Sequence, residues 1–133
     1  MSSLDIERVI DSVLPMIQYA YGSSKFQTDY PTVELHRDIF HRLTGEMVTK
    51  EQLIEMDMYA DAEYEYETNT IYLYYTQMNS EEDVVRTLIH EYQHYLQSPT
   101  WMKRYYTMGY EYDNHPYEVA AIEAEEDYEM FKW

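Results

Sequence analysis

The chain reads as an α+β domain, on three observations. Residues 80–97 carry apolar side chains at helical spacing, residues 70–75 carry them in alternation, and a second helical pattern follows Pro116. Together they predict a small mixed or antiparallel sheet packed on a long helix, with a further helix near the C-terminus. At 133 residues, without internal repeats or a low-complexity linker, the chain is expected to form one domain over 1–133.

The elements follow in order. Residues 3–21 place Leu4, Ile6, Val9, Ile10, Val13, Leu14 and Ile17 on one helical face, so the segment 1–22 is expected to cover the core. Pro15 should kink or break that helix, and Gly22-Ser23-Ser24 should end it. Residues 32–36 alternate after Pro31 and read as a short strand. His36 and His41 lie five apart rather than four, and read as surface histidines. Residues 49–54 read as a short helix capped by Thr49. Residues 58–66 and 70–75 read as a β-hairpin turning at Glu67-Thr68-Asn69. Ala62, Tyr64 and Tyr66 alternate with Glu63 and Glu65; Ile71, Leu73 and Tyr75 alternate with Tyr72 and Tyr74.

The helix over 80–97 holds the most informative residues. Val84, Val85, Leu88, Ile89, Tyr92 and Leu96 form its apolar stripe. Ser80 is a good N-cap, Glu81, Glu82 and Asp83 suit the positive helix end, and Pro99 stops the helix. Within it stands His90-Glu91-Tyr92-Gln93-His94, an H-E-x-x-H run. Residues four apart share a helix face, so His90 and His94 aim two imidazoles at one point where a zinc ion can be held. Glu91 lies close enough to take a proton from a water activated there. This pairing is the mechanical core of metal-assisted peptide hydrolysis.

A catalytic zinc takes a third protein ligand, and with no cysteine it must be His, Asp or Glu. The metzincin continuation fails, because Gln97 and Thr100 stand where a glycine and a third histidine belong. A carboxylate from a second helix remains. Asn114 or His115 caps a helix in which Pro116 suits the first turn and Glu118 falls within it. Tyr117, Ala120, Ala121, Ala124, Tyr128 and Phe131 recur at helical spacing beyond, and the alanines would permit close packing on the histidine helix. Glu118 is the preferred ligand, with Glu123 and Glu125 as alternatives. The tyrosine-dense stretch 103–112 lies between the two helices and must pass near the metal. A hydroxyl there could donate to an oxyanion, although packing as amphipathic core and rim is the simpler role.

His90-Glu91-Tyr92-Gln93-His94 with the later Glu118-Val119-Ala120-Ala121, and the strand Thr70-Ile71-Tyr72-Leu73-Tyr74-Tyr75 before the helix, resemble the gluzincins. The chain resembles in particular the small single-domain zincin-like metallopeptidases of phages and bacteria, and the minigluzincins, over about residues 30–130. The resemblance implies a zincin-like fold, one zinc held by His90, His94 and Glu118, Glu91 as general base, and a peptide or protein substrate. It also allows a phage-encoded, virion-associated protein, and, as an alternative function, a zincin-fold binding or structural module whose metal is structural or absent. A closed structural site would take a fourth protein ligand such as His115 or Glu125. Larger gluzincins place an acid after the ligand glutamate to support a zinc-bound histidine. Ile122 occupies that position, so a backbone carbonyl, Glu123 or another acid must serve.

Composition bounds the partners. A net charge of −17 disfavours nucleic acid, whose phosphates would be repelled. No apolar run is long enough for a membrane span and no basic-then-apolar leader is present, so a cytoplasmic location is expected.

Overall fold

The computed structural model describes residues 2–42 and 61–131. The expected helix over 49–54, the start of the expected hairpin at 58–60, and the side chain of His41 lie outside the described residues. The described chain is mixed α+β. Helix α1 (Ser3–Tyr21) is followed by strand β1 (Thr32–His36), the short α2 (Ile39–Arg42), and strands β2 (Ala62–Glu65) and β3 (Thr70–Tyr74). Then come helices α3 (Glu81–Leu96), α4 (Pro99–Thr107) and α5 (Pro116–Ala124), and a 3₁₀ helix over Glu125–Phe131.

The three strands form one mixed sheet in the order β1-β3-β2. β3 pairs parallel with β1, Val33 against Ile71 and Leu35 against Leu73. It pairs antiparallel with β2, Tyr64 against Ile71 and Ala62 against Leu73. The alternation read in the sequence sorts the faces. Ile71 and Leu73 enter the main core, with Val33, Leu35, Ala62 and Tyr64 packed against it. Tyr72 and Tyr74, which take the other face by alternation, are buried too. Arg42 covers part of that face: its guanidinium lies 4.3 Å from the Tyr72 ring centroid and donates to the Tyr74 hydroxyl (2.8 Å) and to Glu63 (2.8 Å). Asn69 supplies the positive φ, 49°, that the hairpin turn needs.

α1 runs unbroken through Pro15. The ring sits on the exposed side, where the lost hydrogen bond concerns solvent-facing backbone, while Val13 and Ile17 on either side are fully buried and anchor the helix. Of the expected apolar face, Ile6, Val9, Ile10, Val13 and Ile17 are buried, whereas Leu4 is exposed. Gly22 ends the helix at φ 78°, a conformation that favours glycine.

α3 is the central element. Ser80 caps it, accepting from the Asp83 amide. Val84, Val85, Leu88, Ile89, Tyr92 and Tyr95 bury its stripe. Two tyrosines on this helix pin the chain that follows α1: Tyr92 donates to the Gly22 carbonyl, and Tyr95 donates to that of Asp29 (3.0 Å) while accepting from the Ser24 amide (3.0 Å). Pro99 ends α3 as expected but also opens α4, with Ser98 as its cap. The C-terminal helix is α-helical only to Ala124 and then tightens to 3₁₀. Tyr21 donates to Asp127 (2.6 Å), fastening α1 to that last segment. Of the three alanines, Ala121 is fully buried and Ala124 is half-buried, but Ala120 is exposed.

Candidate metal centre

His90 and His94 stand one turn apart on α3, where it leaves the buried stripe and faces α5. Their ring centroids are 5.0 Å apart, and both side chains are nearly buried, 12 % and 10 % exposed. The third element is the start of α5. His115 caps it, accepting from the Tyr117 amide through Nδ1 (3.1 Å) while its Nε2 donates to the Met102 carbonyl (3.0 Å). Both ring nitrogens are thereby used, and His115 is a structural cap rather than a ligand. Pro116 opens the helix and Glu118 lies in its first turn, where the helix dipole favours a negative charge.

Glu118 reaches between the two histidines. One carboxylate oxygen lies 3.2 Å from His90 Nε2 and the other 3.1 Å from His94 Nε2. Tetrahedral zinc ligands about 2.1 Å from the ion stand roughly 3.4 Å from one another, and each of these two contacts is of that order. The same distances serve hydrogen bonds, which hold the cluster together without an ion. His90, Glu91 and His94 offer a further set of possible ligand atoms within 4.8 Å of one another. Glu118 is in direct contact with both Nε2 atoms.

The electrostatics follow from burial and proximity. Burial disfavours the His90 imidazolium, but the hydrogen bond to Glu118 and the charges of Glu91 and Glu125 outweigh it and push the ring up to about 9. His94 is raised by the same contest, with burial opposed by Glu118 and Glu91. Burial alone would raise Glu118, yet hydrogen bonds from both histidines hold it down at about 2. Glu91 moves the other way. Burial raises its carboxyl, against the pull of His94 and His90. Its oxygens receive no hydrogen bond from any described side chain, which leaves them available to water or substrate.

The outer ring nitrogens also have partners. His90 Nδ1 lies 2.9 Å from Glu125, and His94 Nδ1 lies 2.7 Å from the Gln97 side-chain oxygen. Glu125, weighed in the sequence as an alternative ligand, lies against the outer ring nitrogen of His90, and Ile122 is exposed. Glu123 is exposed and does not line the site. His36 is held by Glu34 (3.2 Å) and stays apart from the cluster. Gln97 was not singled out by sequence reasoning. Its signal was its position three residues after His94, which makes it a side-chain neighbour on a helix.

The cluster opens into a cleft of about 1220 Å³. β2 and the turn after it form one wall, and the start of α4 with Tyr112 forms the other. Tyr112 is the member of the tyrosine-rich stretch that lines this cleft. Burial, then the charges of Glu118 and Glu91, push its hydroxyl up to about 12, so it remains a neutral donor. Compared with protein-family models, curated proteins and solved structures, the chain gives no match. No helix among the described residues is long and apolar enough to cross a membrane.

Proposed function

We propose that the chain is a zinc-dependent metallopeptidase of the gluzincin kind, with a zincin-like fold. The observation that carries this reading is the convergence of His90 Nε2 and His94 Nε2 on one carboxylate, Glu118, beside an unengaged Glu91 at the floor of an open cleft. His90, His94 and Glu118 would hold the zinc. The ion, when bound, supplies Lewis acidity that lowers the pKa of water and polarises a carbonyl. Glu91 takes a proton from the attacking water and returns it to the leaving amine. Tyr112 lines the same cleft, and its hydroxyl would be the donor to the developing oxyanion. β2, an edge of the sheet among the described residues, runs along the cleft and offers a peptide substrate an added-strand docking line.

One form of the alternative, a binding or structural module with a closed metal site, called for a fourth protein ligand such as His115 or Glu125. His115 is spent on capping α5 and Glu125 backs His90 from outside. The arrangement therefore favours an open, catalytic site over a closed one. The test is the zinc content of protein purified without a metal-binding tag. About one zinc per chain, lost in His94→Ala, is expected under the tetrahedral-site rule. Wild-type protein that neither contains nor takes up zinc would sink the proposal.

A further inference from the structure

Gln97 stands at the joint between the two helices that carry the candidate ligands. It is the C-cap of α3, and its backbone N–H donates to the His94 carbonyl (3.2 Å). Its side chain reaches both ways: the amide nitrogen donates to the Tyr117 carbonyl (3.1 Å), and the amide oxygen lies 2.7 Å from His94 Nδ1. Tyr117 directly precedes Glu118. One residue thus touches His94 twice and the first turn of α5 once.

The direction of this chain of hydrogen bonds is forced. A backbone carbonyl only accepts, so the amide nitrogen must face Tyr117. The amide oxygen then faces His94, and it too only accepts. His94 Nδ1 must therefore carry a hydrogen, and the proton that the ring gives up to bind a metal is the one on Nε2. His90 is backed differently, by the carboxylate of Glu125, so the neutral amide at His94 acts through orientation rather than charge.

We infer that Gln97 is a positioning residue, which keeps the lone pair of His94 on Nε2 and sets the spacing of His94 from Glu118 by tying α3 to α5. This inference rests on the proposed zinc site. It predicts that the link matters to metal binding itself, before any substrate is present.

The test compares zinc affinity, by competition with a chromophoric chelator, in wild type, Gln97→Met and Gln97→Glu, and records the visible spectra of their cobalt forms. Gln97→Met keeps the shape and removes both polar contacts. It should weaken zinc binding about 10- to 100-fold and shift the cobalt spectrum, as loss of a ligand's hydrogen-bonded support does. Gln97→Glu keeps an acceptor for His94 and loses the donor to Tyr117, so it should lose less affinity than Gln97→Met. Nitrogen-15 spectra of zinc-loaded wild type should show His94 Nδ1 protonated, a readout independent of whether either variant folds. Unchanged zinc affinity in Gln97→Met, or an unprotonated Nδ1 in the wild type, overturns the inference while leaving the zinc reading intact. Wild-type protein that binds neither zinc nor cobalt removes the zinc reading, and this one with it.

Discussion

Glu91 is the residue whose chemistry is most exposed to test, because it lies within the cluster without being hydrogen-bonded into it. Replacing it by Gln keeps the volume and removes the base. Gln at this position should leave the zinc content unchanged and lower kcat by at least about 10²-fold, the scale of general-base catalysis; a variant that digests a peptide library as fast as wild type would refute the assignment. Tyr112→Phe should also keep its zinc, with kcat falling on the order of 10²-fold and KM little changed, since an oxyanion donor acts chiefly in the transition state. An equal loss in a substrate's binding constant alone would mark Tyr112 as a docking residue instead. The histidines make a prediction about pH. In the metal-free protein the folded-state pKa of His90 is raised from 6.5 to about 9, so its contribution to stability is full below 6.5 and is lost as pH rises through 9. Glu118, held at about 2 against an ordinary 4.5, contributes above 4.5 and loses that contribution as pH falls towards 2. Metal-free protein should therefore melt at progressively lower temperature from pH 6.5 to pH 9. Saturating zinc should reverse the slope near neutrality, because the ion must displace protons from the same rings. Parallel slopes with and without zinc, measured by differential scanning fluorimetry, would show that zinc does not bind through these histidines.

Among the elements, α1 carries a proline that its packing tolerates, and tolerance is not the same as neutrality. Proline inside a helix costs about 3 kcal/mol relative to alanine, and Pro15 is exposed, with no core contact to lose. Pro15→Ala should therefore raise stability by about 1–3 kcal/mol, read as a higher urea midpoint at unchanged m. No change would mean that the backbone around Pro15 already relieves the strain. What was legible in the sequence divides along the same line between local and tertiary causes. α3 could be read to within a residue at each end because Ser80, the acidic first turn and Pro99 act locally on an apolar period. β1 and the described part of the hairpin were legible from alternation. α4 was not foreseen, since Pro99 was read only as the end of one helix and not as the first turn of the next, where its missing N–H is harmless. The passage to 3₁₀ at Glu125 was hidden as well. It accompanies tertiary anchors that no local pattern encodes, the Tyr21–Asp127 hydrogen bond and the burial of Phe131. The candidate site divides in the same way. The histidine pair and Glu91 follow from spacing on one helix, and Glu118 was preferred from its place at the capped start of α5, whereas its contact with both Nε2 atoms depends on how α5 lies across α3. Gln97 gains its role only because Tyr117 comes within reach.

At the scale of the whole molecule, the candidate metal centre is one of several ties that close the C-terminal third onto α3 and α1. Others are the bond from Tyr21 to Asp127, the Gln97 contact with Tyr117 and the burial of Phe131. Between them, α5 presents little buried surface of its own: only Glu118 and Ala121 are buried within it, and α4 has no buried residue at all. With so few apolar contacts of their own, α4 and α5 depend on polar links, whereas Phe131 anchors the chain beyond them in the core; the proposed zinc would be the strongest of those links. Removing the ion should then loosen the molecule unevenly. Hydrogen exchange of chelator-treated protein should quicken in α4 and α5, while β3 and the apolar half of α3 keep their protection, because Ile71, Leu73, Val84, Val85 and Leu88 are fully buried in the apolar core. Restored zinc should return that protection and raise Tm in step with the free zinc concentration, as ligand binding to the folded state alone requires. Uniform loss of protection on chelation would instead make the metal part of the global folding unit. Unchanged exchange throughout would mean that α5 is held by its own packing, and that the convergence of His90, His94 and Glu118 is a hydrogen-bonded cluster with no ion to lose.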